Sequence, residues 1–285
     1  MKKNTSCVVV AYNPDIDVIK NILSYIHYFD KVFVIDNSDL DNVKLFGPLI
    51  QEFGLEYIPL LDNTGIANAL NIGFEKSIEY GYQFVVSMDQ DSQFNNNILD
   101  VYKAYIDEFG FKQLGALSPR YKVERAISKV SFKPYEEKNI TMQSGVLFTK
   151  VAFQKVGLFN EALFIDVVDW EYFIRMNRLG FKLIQCNEAV LAHQPAENLH
   201  LFTFKGKKIG VGVASPLRYY YQIRNLLWCL LHHKSFFMLK TIFYKLFKVL
   251  FLFKNKRTYL NFIFKGVKDA FKNRLGRFDK IHGKP

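Results

Sequence analysis

The chain has 285 residues, 49% of them hydrophobic, which is enough to bury a full core and excludes a disordered chain. Its 3 cysteines, Cys7, Cys186 and Cys229, stand far apart with no CxxC pair and no histidine at zinc-site spacing. Neither a disulfide framework nor a zinc site is indicated, and a reducing, cytosolic setting fits.

The formal charge of +11 is unevenly spread: residues 201–285 carry 19 Lys and Arg against Asp269 and Asp279 alone, a formal +17, which leaves −6 for residues 1–200. Two regions with different neighbours follow from that asymmetry. The start is basic, but its apolar stretch is short and runs into "YNPD" without a small-residue cleavage site, so "SCVVVAY" reads as a first strand and not as a signal peptide. "PDIDVIKNILSYIHYF" then places Ile16, Ile19, Leu23 and Ile26 at helical spacing. "KVFVIDNS" is a second strand ending in Asp36 and Asn37; a break at Gly47-Pro48 precedes a short helix near residues 48–53, and "LEYIPL" is a third strand. "GIANALNIGFEKSIEYG" is a helix opened by Gly65 and closed by Gly81, and "QFVVSMD" is a fourth strand. Such alternation is the signature of α/β units around a mostly parallel sheet.

Three of these strands end in polar residues: Tyr12-Asn13, Asp36-Asn37 and Asp89-Gln90-Asp91. Ligands of open α/β sheets bind outside the carboxyl ends of the strands, so this convergence suits a binding crevice. Asp89 and Asp91 repel each other, a tolerable arrangement if a cation sits between them. The alternative is a solvated turn that caps the helix of "NNNILDVYKAYIDEF". There is no GxGxxG turn after the first strand and no GxxxxGK[ST] loop, so the charge of a phosphorylated ligand falls to a divalent metal on the D-x-D carboxylates.

Residues 143–193 carry the second informative stretch. Asp166, Asp169 and Glu171 cluster before a helix that bears Arg175 and Arg178. Acidic groups at a helix N-terminus complement the macrodipole, which accounts for at least one of the three. A carboxylate held there by the apolar lead-in "LFI" can serve as a general base. His193 ends a strand-like run, where neutral imidazole could complete a metal site, more readily for Mn²⁺ than for Mg²⁺.

Taken together, "VVVAYNP", "VIDNS", "DNTGIANALNIG", "MDQDS", "SGVLF", "FIDVVDWEYFIR", the "LAH" ending at His193 and "PLRYYYQIRN" resemble the GT-A glycosyltransferases of family 2, in their rhamnosyltransferase-like branch. The resemblance spans residues 8–225 and implies a GT-A fold over residues 1–215, followed by a basic helical region at 216–285. It implies that Ala11, Tyr12, Asn13 and Asp36 contact the nucleoside of a nucleotide sugar, with Asn63, Gly65 and Asn68 along the nucleotide. Asp89 would meet the sugar of the nucleoside or the metal, Asp91 would bind Mg²⁺ or Mn²⁺, and His193 would be a further ligand. Asp169 matches the general base and Glu171 the second acidic position. Val168 stands where such families often have Glu, which leaves Asp166 as the alternative base. Ser144, Gly145, Trp170, Arg218 and Arg224 would contact the acceptor or the transferred sugar. The donor so implied is dTDP-rhamnose, with UDP-hexose or UDP-galactofuranose as alternatives, and the acceptor a polyprenyl diphosphate-linked glycan. A nucleotide or lipid-surface module without catalysis is the reading from another class.

In residues 224–278 Phe, Leu and Lys recur without proline, and the lysines interrupt every apolar run before the roughly 18 residues a membrane span needs. On a continuous helix Lys234, Lys240, Lys245 and Lys248 would share an arc of about 140° opposite Leu and Phe. That pattern suits a helix lying on an anionic membrane surface, at the inner face of the cell membrane. Packing on the main domain with a solvated lysine face is the alternative. Nucleic acid is not indicated, since the aromatics are mostly Phe on an apolar face.

Overall fold

A computed structural model describes residues 4–94, 96–122, 133–193, 198–204 and 207–283, with the backbone alone for 193, 198–204 and 207–211. The chain forms two compact units, Met1–Phe159 with Tyr172–Pro195, and Asn160–Glu171 with Ala196–Pro285.

The first unit begins with β1 (Thr5–Ala11), α1 (Asp17–Leu23), β2 (Lys31–Asp36), α2 (Val43–Phe53), β3 (Glu56–Pro59), α3 (Ile66–Glu79) and β4 (Phe84–Asp89). Every residue of β1 is buried, as a Val-rich strand covered on both faces must be. β1 pairs in parallel with β2 on one side and β4 on the other, and β2 pairs in parallel with β3. The order β3-β2-β1-β4 therefore reverses at β1, which opens a crevice at the carboxyl ends of β1 and β4. α3 lies close on this sheet through Gly73, where a Cβ would fall 2.3 Å from Val8 Cγ1.

The unit continues with β5 (Ser92–Phe94), α4 (Ile98–Phe109), β6 (Leu114–Lys122), β7 (Tyr135–Lys138), β8 (Val146–Thr149) and α5 (Lys150–Val156). α6 (Val168–Arg178) and β9 (Lys182–His193) follow, the first residues of α6 counting with the second unit. β8 runs antiparallel between β4 and β6, β6 pairs in parallel with β9, and β5 and β7 add to β9 antiparallel. The expected parallel sheet is thus seen through β4, and its far half is mixed.

The second unit contains the antiparallel pair β10 (Asn198–Phe204) and β11 (Lys207–Gly212), then α7 (Pro216–His233), α8 (Phe236–Leu252), α9 (Lys256–Phe271) and α10 (Phe278–His282). Ser215, where the sequence reading divides the chain, caps α7 by accepting from Arg218 N at 3.2 Å, with Pro216 at the first helical position. At Gly266 a Cβ would lie 2.7 Å from Tyr220 O, so α9 and α7 cross almost backbone to backbone. Among the described residues no helix is long and apolar enough to cross a membrane.

Three local expectations need correction. The helix before β3 starts at Val43 and runs through Pro48, which is exposed, so the carbonyl left without its helical donor can be met by water. In α1 the buried residues are Val18, Asn21 and Ile22, whereas Ile16 and Leu23 are exposed, because Asn21 Nδ2 donates to Gln90 O at 2.7 Å and rotates the helix onto that contact. Lys234 ends α7 in the left-handed region at φ 49°, so it shares no continuous helix with the lysines of α8.

Replacing Gly73 with Ala should lower the unfolding free energy by about 1–3 kcal/mol through overpacking, read as a lower denaturation midpoint at constant slope. An unchanged midpoint would show that Val8 yields without cost.

Candidate active site

In the first unit the strand ends are tied into one polar edge. Tyr12 N donates to Gln90 Oε1 at 2.8 Å and Gln90 Nε2 donates back to Tyr12 O at 3.2 Å, clasping the end of β1 to the residue after β4. Asn13 stands in the left-handed region at φ 45°, its amide on Ser38 Oγ at 2.7 Å. The Asn37 amide donates to Asn63 Oδ1 at 3.1 Å and accepts from Thr64 N at 2.8 Å. Thr64 Oγ1 in turn donates to Asn68 Oδ1 at 2.9 Å, so the N-terminus of α3 is held against the end of β2. Gly65 at φ 93° precedes α3, a backbone position that a Cβ would strain. The free amides of a helix start suit an anionic ligand.

Asp36, expected at the nucleoside, is 1% exposed and is filled by protein donors. Ser38 Oγ and N donate to Oδ1 at 2.5 and 3.1 Å, and Asn42 Nδ2 and Tyr57 Oη donate to Oδ2 at 2.8 and 2.7 Å. It shapes the 36–42 turn rather than facing solvent. Burial, and then the Asp36 carboxylate, push the Tyr57 phenol far above its ordinary value, which keeps it a donor.

Asp89 and Asp91 lie where the sequence puts them, at and just beyond the end of β4. Asp89 Oδ1 accepts a short hydrogen bond from Gln143 Nε2, and Asp89 N donates to Ser144 Oγ at 3.0 Å. Ser144 Oγ donates to Ser92 Oγ at 2.8 Å, so one buried hydroxyl ties β4 to β5 across the pair of carboxylates. Gly145 is at φ 76°, and a Cβ there would meet Leu191 and Pro119 at 2.9 Å. Ser144 and Gly145, expected to touch the acceptor or sugar, are buried and brace the D-x-D turn instead. Asp91 itself is exposed. His193 ends β9 with its backbone opposite Ser92, one residue beyond Asp91, and its side chain lies outside the described residues.

The acidic cluster belongs to the second unit. Phe164, Asp166 and Val167 have φ of 66°, 62° and 68°, conformations that cost non-glycine residues about 1–3 kcal/mol each. Buried donors hold this loop. Asn225 Nδ2 lies 2.9, 2.8 and 2.9 Å from the carbonyls of Leu163, Ile165 and Asp166. Arg224 donates to Leu163 O at 3.0 Å, Gly276 O at 2.7 Å and Asn225 Oδ1 at 2.9 Å. Arg224 was expected to contact acceptor or sugar; it is 0% exposed and supports the loop. Burial lowers its guanidinium from the ordinary value, and the faces of Tyr220 and Tyr221, 5.2 and 5.0 Å away, cover it.

The three acids differ in surroundings. Asp166 pairs with Arg218 at 3.0 Å and accepts from Gln222 at 3.3 Å. Glu171 is buried and faces His233 Nε2 at 3.1 Å. Asp169, half-buried in the first turn of α6, accepts from its neighbour Trp170 N at 2.9 Å. The Trp170 ring meets Phe237 at 5.6 Å. Asn225, His233 and Gln143 are supports that the sequence does not single out, and Gln90 stands there only as a polar strand end; Asn225 lies inside the quoted "RYYYQIRN", but no spacing rule marks an amide that bridges three carbonyls.

Among the described residues no group of three or more His, Cys, Asp or Glu could hold a metal ion. Asp89 and Asp91 bring two carboxylates to the end of β4, a donor chemistry that would suit a hard divalent cation.

No protein-family model matches the chain. It is 28% identical over 247 residues, covering 79% of each chain, to the dTDP-rhamnosyl transferase RfbF of Shigella flexneri. In structure it is similar to S. aureus TarS, with TM-score 0.58, 16% identity and coverage of 94% of this chain and 49% of that one. It is also similar to GalNAc-T7 with UDP, GalNAc and Mn²⁺, with TM-score 0.60, 14% identity and coverage of 95% and 58%. TarS 1-349 in complex with UDP gives TM-score 0.54 at 16% identity, over 99% of this chain and 74% of that one. The chain thus spans about half the length of TarS. Its fold is that of the GT-A glycosyltransferases, and the chain is a glycosyltransferase. Within that class it is similar to the family 2 rhamnosyltransferases.

Replacing Asn225 with Leu leaves carbonyls of the acid loop unpaired, so unfolding free energy should fall by about 1–3 kcal/mol or more in urea titration. An unchanged value would mean that Arg224 alone holds the loop.

Proposed function

We propose that the chain transfers L-rhamnose from dTDP-rhamnose to a hydroxyl of a polyprenyl diphosphate-linked glycan, with inversion, in the synthesis of a cell-surface polysaccharide of O-antigen or capsule type. The observation that carries this is the braced Asp89–Asp91 turn at the sheet's switch point, in a chain similar over 79% of its length to a dTDP-rhamnosyl transferase. A UDP-hexose or UDP-galactofuranose donor is the second reading, supported by the UDP bound to TarS 1-349 and GalNAc-T7.

Ala11, Tyr12 and Asn13 would border the nucleoside, and Asn63, Gly65 and Asn68 at the start of α3 would follow the nucleotide. Asp91 and Asp89, with His193 as a further donor, would hold Mg²⁺ or Mn²⁺. A divalent cation so held neutralises charge on the diphosphate as it departs. Asp169 would take the proton of the acceptor hydroxyl while the new oxygen–anomeric carbon bond forms and the bond to the diphosphate breaks. Asp166 is less suited to that role because Arg218 and Gln222 occupy its oxygens. Glu171, buried against His233, would stiffen the first turn of α6. Arg218, about half-exposed, and Trp170 remain for the acceptor.

The test uses dTDP and UDP, with and without Mn²⁺, in thermal unfolding of the full chain, then dTDP release from dTDP-rhamnose. A Mn²⁺-dependent rise in the midpoint with one base identifies the donor nucleotide by mass action. Asp169→Asn should keep that shift and lower turnover about a hundredfold or more. Unchanged turnover would move the base to Asp166, and no shift with any nucleotide would leave only a binding module.

A further inference from the structure

In α8 the side on which Lys245 and Lys248 lie is turned inward. Lys245 Nζ donates to Gln222 Oε1 at 2.7 Å and sits 5.5 Å from the Tyr219 ring, while burial lowers its pKa. Lys248 is 7% exposed, donates to Gly212 O through a short bond and lies over the rings of Tyr244 and Phe253. Met238 and Val249 complete the buried face. Among the side chains α8 presents to solvent are Phe236, Phe243, Tyr244, Phe247, Leu250 and Phe251, exposed by 79, 62, 54, 53, 45 and 67%. At 3.6 residues per turn these fall on one side of the helix within about 120°.

We propose that this outward face of α8 docks on an anionic lipid bilayer, its Phe side chains entering the headgroup region. Charge complementarity names the occupant. Residues 234–268 hold nine Lys and Arg and no Asp or Glu. Lys240 is exposed within the aromatic face, and Lys254, Lys256 and Arg257 are exposed just past its end. A second copy docked through the same face would bring like charge against like, whereas phosphatidylglycerol-type headgroups neutralise the rim as the aromatic rings leave water. The helix also borders the acid loop: Phe237 meets Trp170, which follows Asp169, and Lys245 reaches Asp166 through Gln222. A membrane-held acceptor would therefore arrive beside the proposed base. The docking surface names the partner of that site, yet its geometry rests on the second unit alone and not on the donor reading.

The experiment is co-sedimentation of the full chain with vesicles of phosphatidylcholine alone and of phosphatidylcholine mixed with phosphatidylglycerol. The wild type should bind the anionic vesicles and release at high salt. Phe243→Glu with Phe247→Glu, and separately Lys240→Glu, should weaken vesicle affinity, the double variant by about tenfold or more. All three positions are exposed, so far-UV circular dichroism should be unaltered. Equal binding by the double variant, or none by the wild type, overturns the proposal. So does a wild-type dimer that the double variant dissolves without vesicle binding by either. The dTDP-induced thermal shift is read on the same samples: its absence with vesicle binding intact would sink the donor reading and leave the docking surface standing.

Discussion

Two carboxylates one residue apart at the end of a buried strand repel each other, and the first unit is organised around keeping them there. Ser144 Oγ binds both Asp89 N and Ser92 Oγ, so it clamps the turn from below. Ser144 can reach because β8 is inserted antiparallel between β4 and β6, and because Gly145 takes a backbone angle open to glycine while leaving no room for a Cβ. Gln90, between the two acids, fastens to Tyr12 and, through its carbonyl, to Asn21. Both halves of the sheet and α1 thus converge on the four-residue turn 89–92. Preorganisation of this kind means that a ligand binding there would not have to order the turn on arrival.

The second unit meets a similar demand with a different device. Its acid loop includes non-glycine residues at positive φ, and buried donors compensate the strain. One side-chain amide, Asn225 Nδ2, serves three carbonyls, and Arg224 secures Leu163 together with Gly276. Asp269 supports this layer from beneath, accepting from Tyr220 at 2.8 Å and facing His282 at 2.6 Å. An arginine is well suited to the task, because its fork supplies several fixed donors and its flat face packs on tyrosine. The "RYYYQIRN" stretch thereby separates its arginines: Arg218 stays at the surface on Asp166, while Arg224 goes inside.

Strands β1, β2 and β4 were legible in the sequence because a strand buried on both faces reads as a nearly unbroken apolar run, and helix α3 because it is bracketed by glycines. The polar strand ends were legible for the same reason, as abrupt changes of character. What could not be read were choices made by tertiary contacts. Asn13 and Asp36 have equal claim as strand-end polar groups, yet Asp36 is enclosed by Ser38, Asn42 and Tyr57, residues spread over more than one element. The face of α1 was misjudged because its orientation is set by a hydrogen bond to Gln90, sixty-nine residues away. Periodicity counts apolar side chains and is blind to that bond.

The C-terminal helices show the limit most sharply. Spacing on a helical wheel separates Lys245 and Lys248 from Phe243, Phe247 and Phe251 in α8, but it does not say which side meets the protein. The rest of the second unit decides it: Gly212 O and Gln222 Oε1 offer acceptors, and Tyr219 and Phe253 offer rings, to ammonium groups arriving on that side. A lysine can turn inward at moderate cost, since its stem is apolar and its amine finds acceptors and aromatic faces. The displaced phenylalanines have no such compensation in water. An exposed apolar surface of that extent, with positive charge in it and around it and no Asp or Glu in residues 234–268, is the complement of an interface that is greasy within and anionic at its edge.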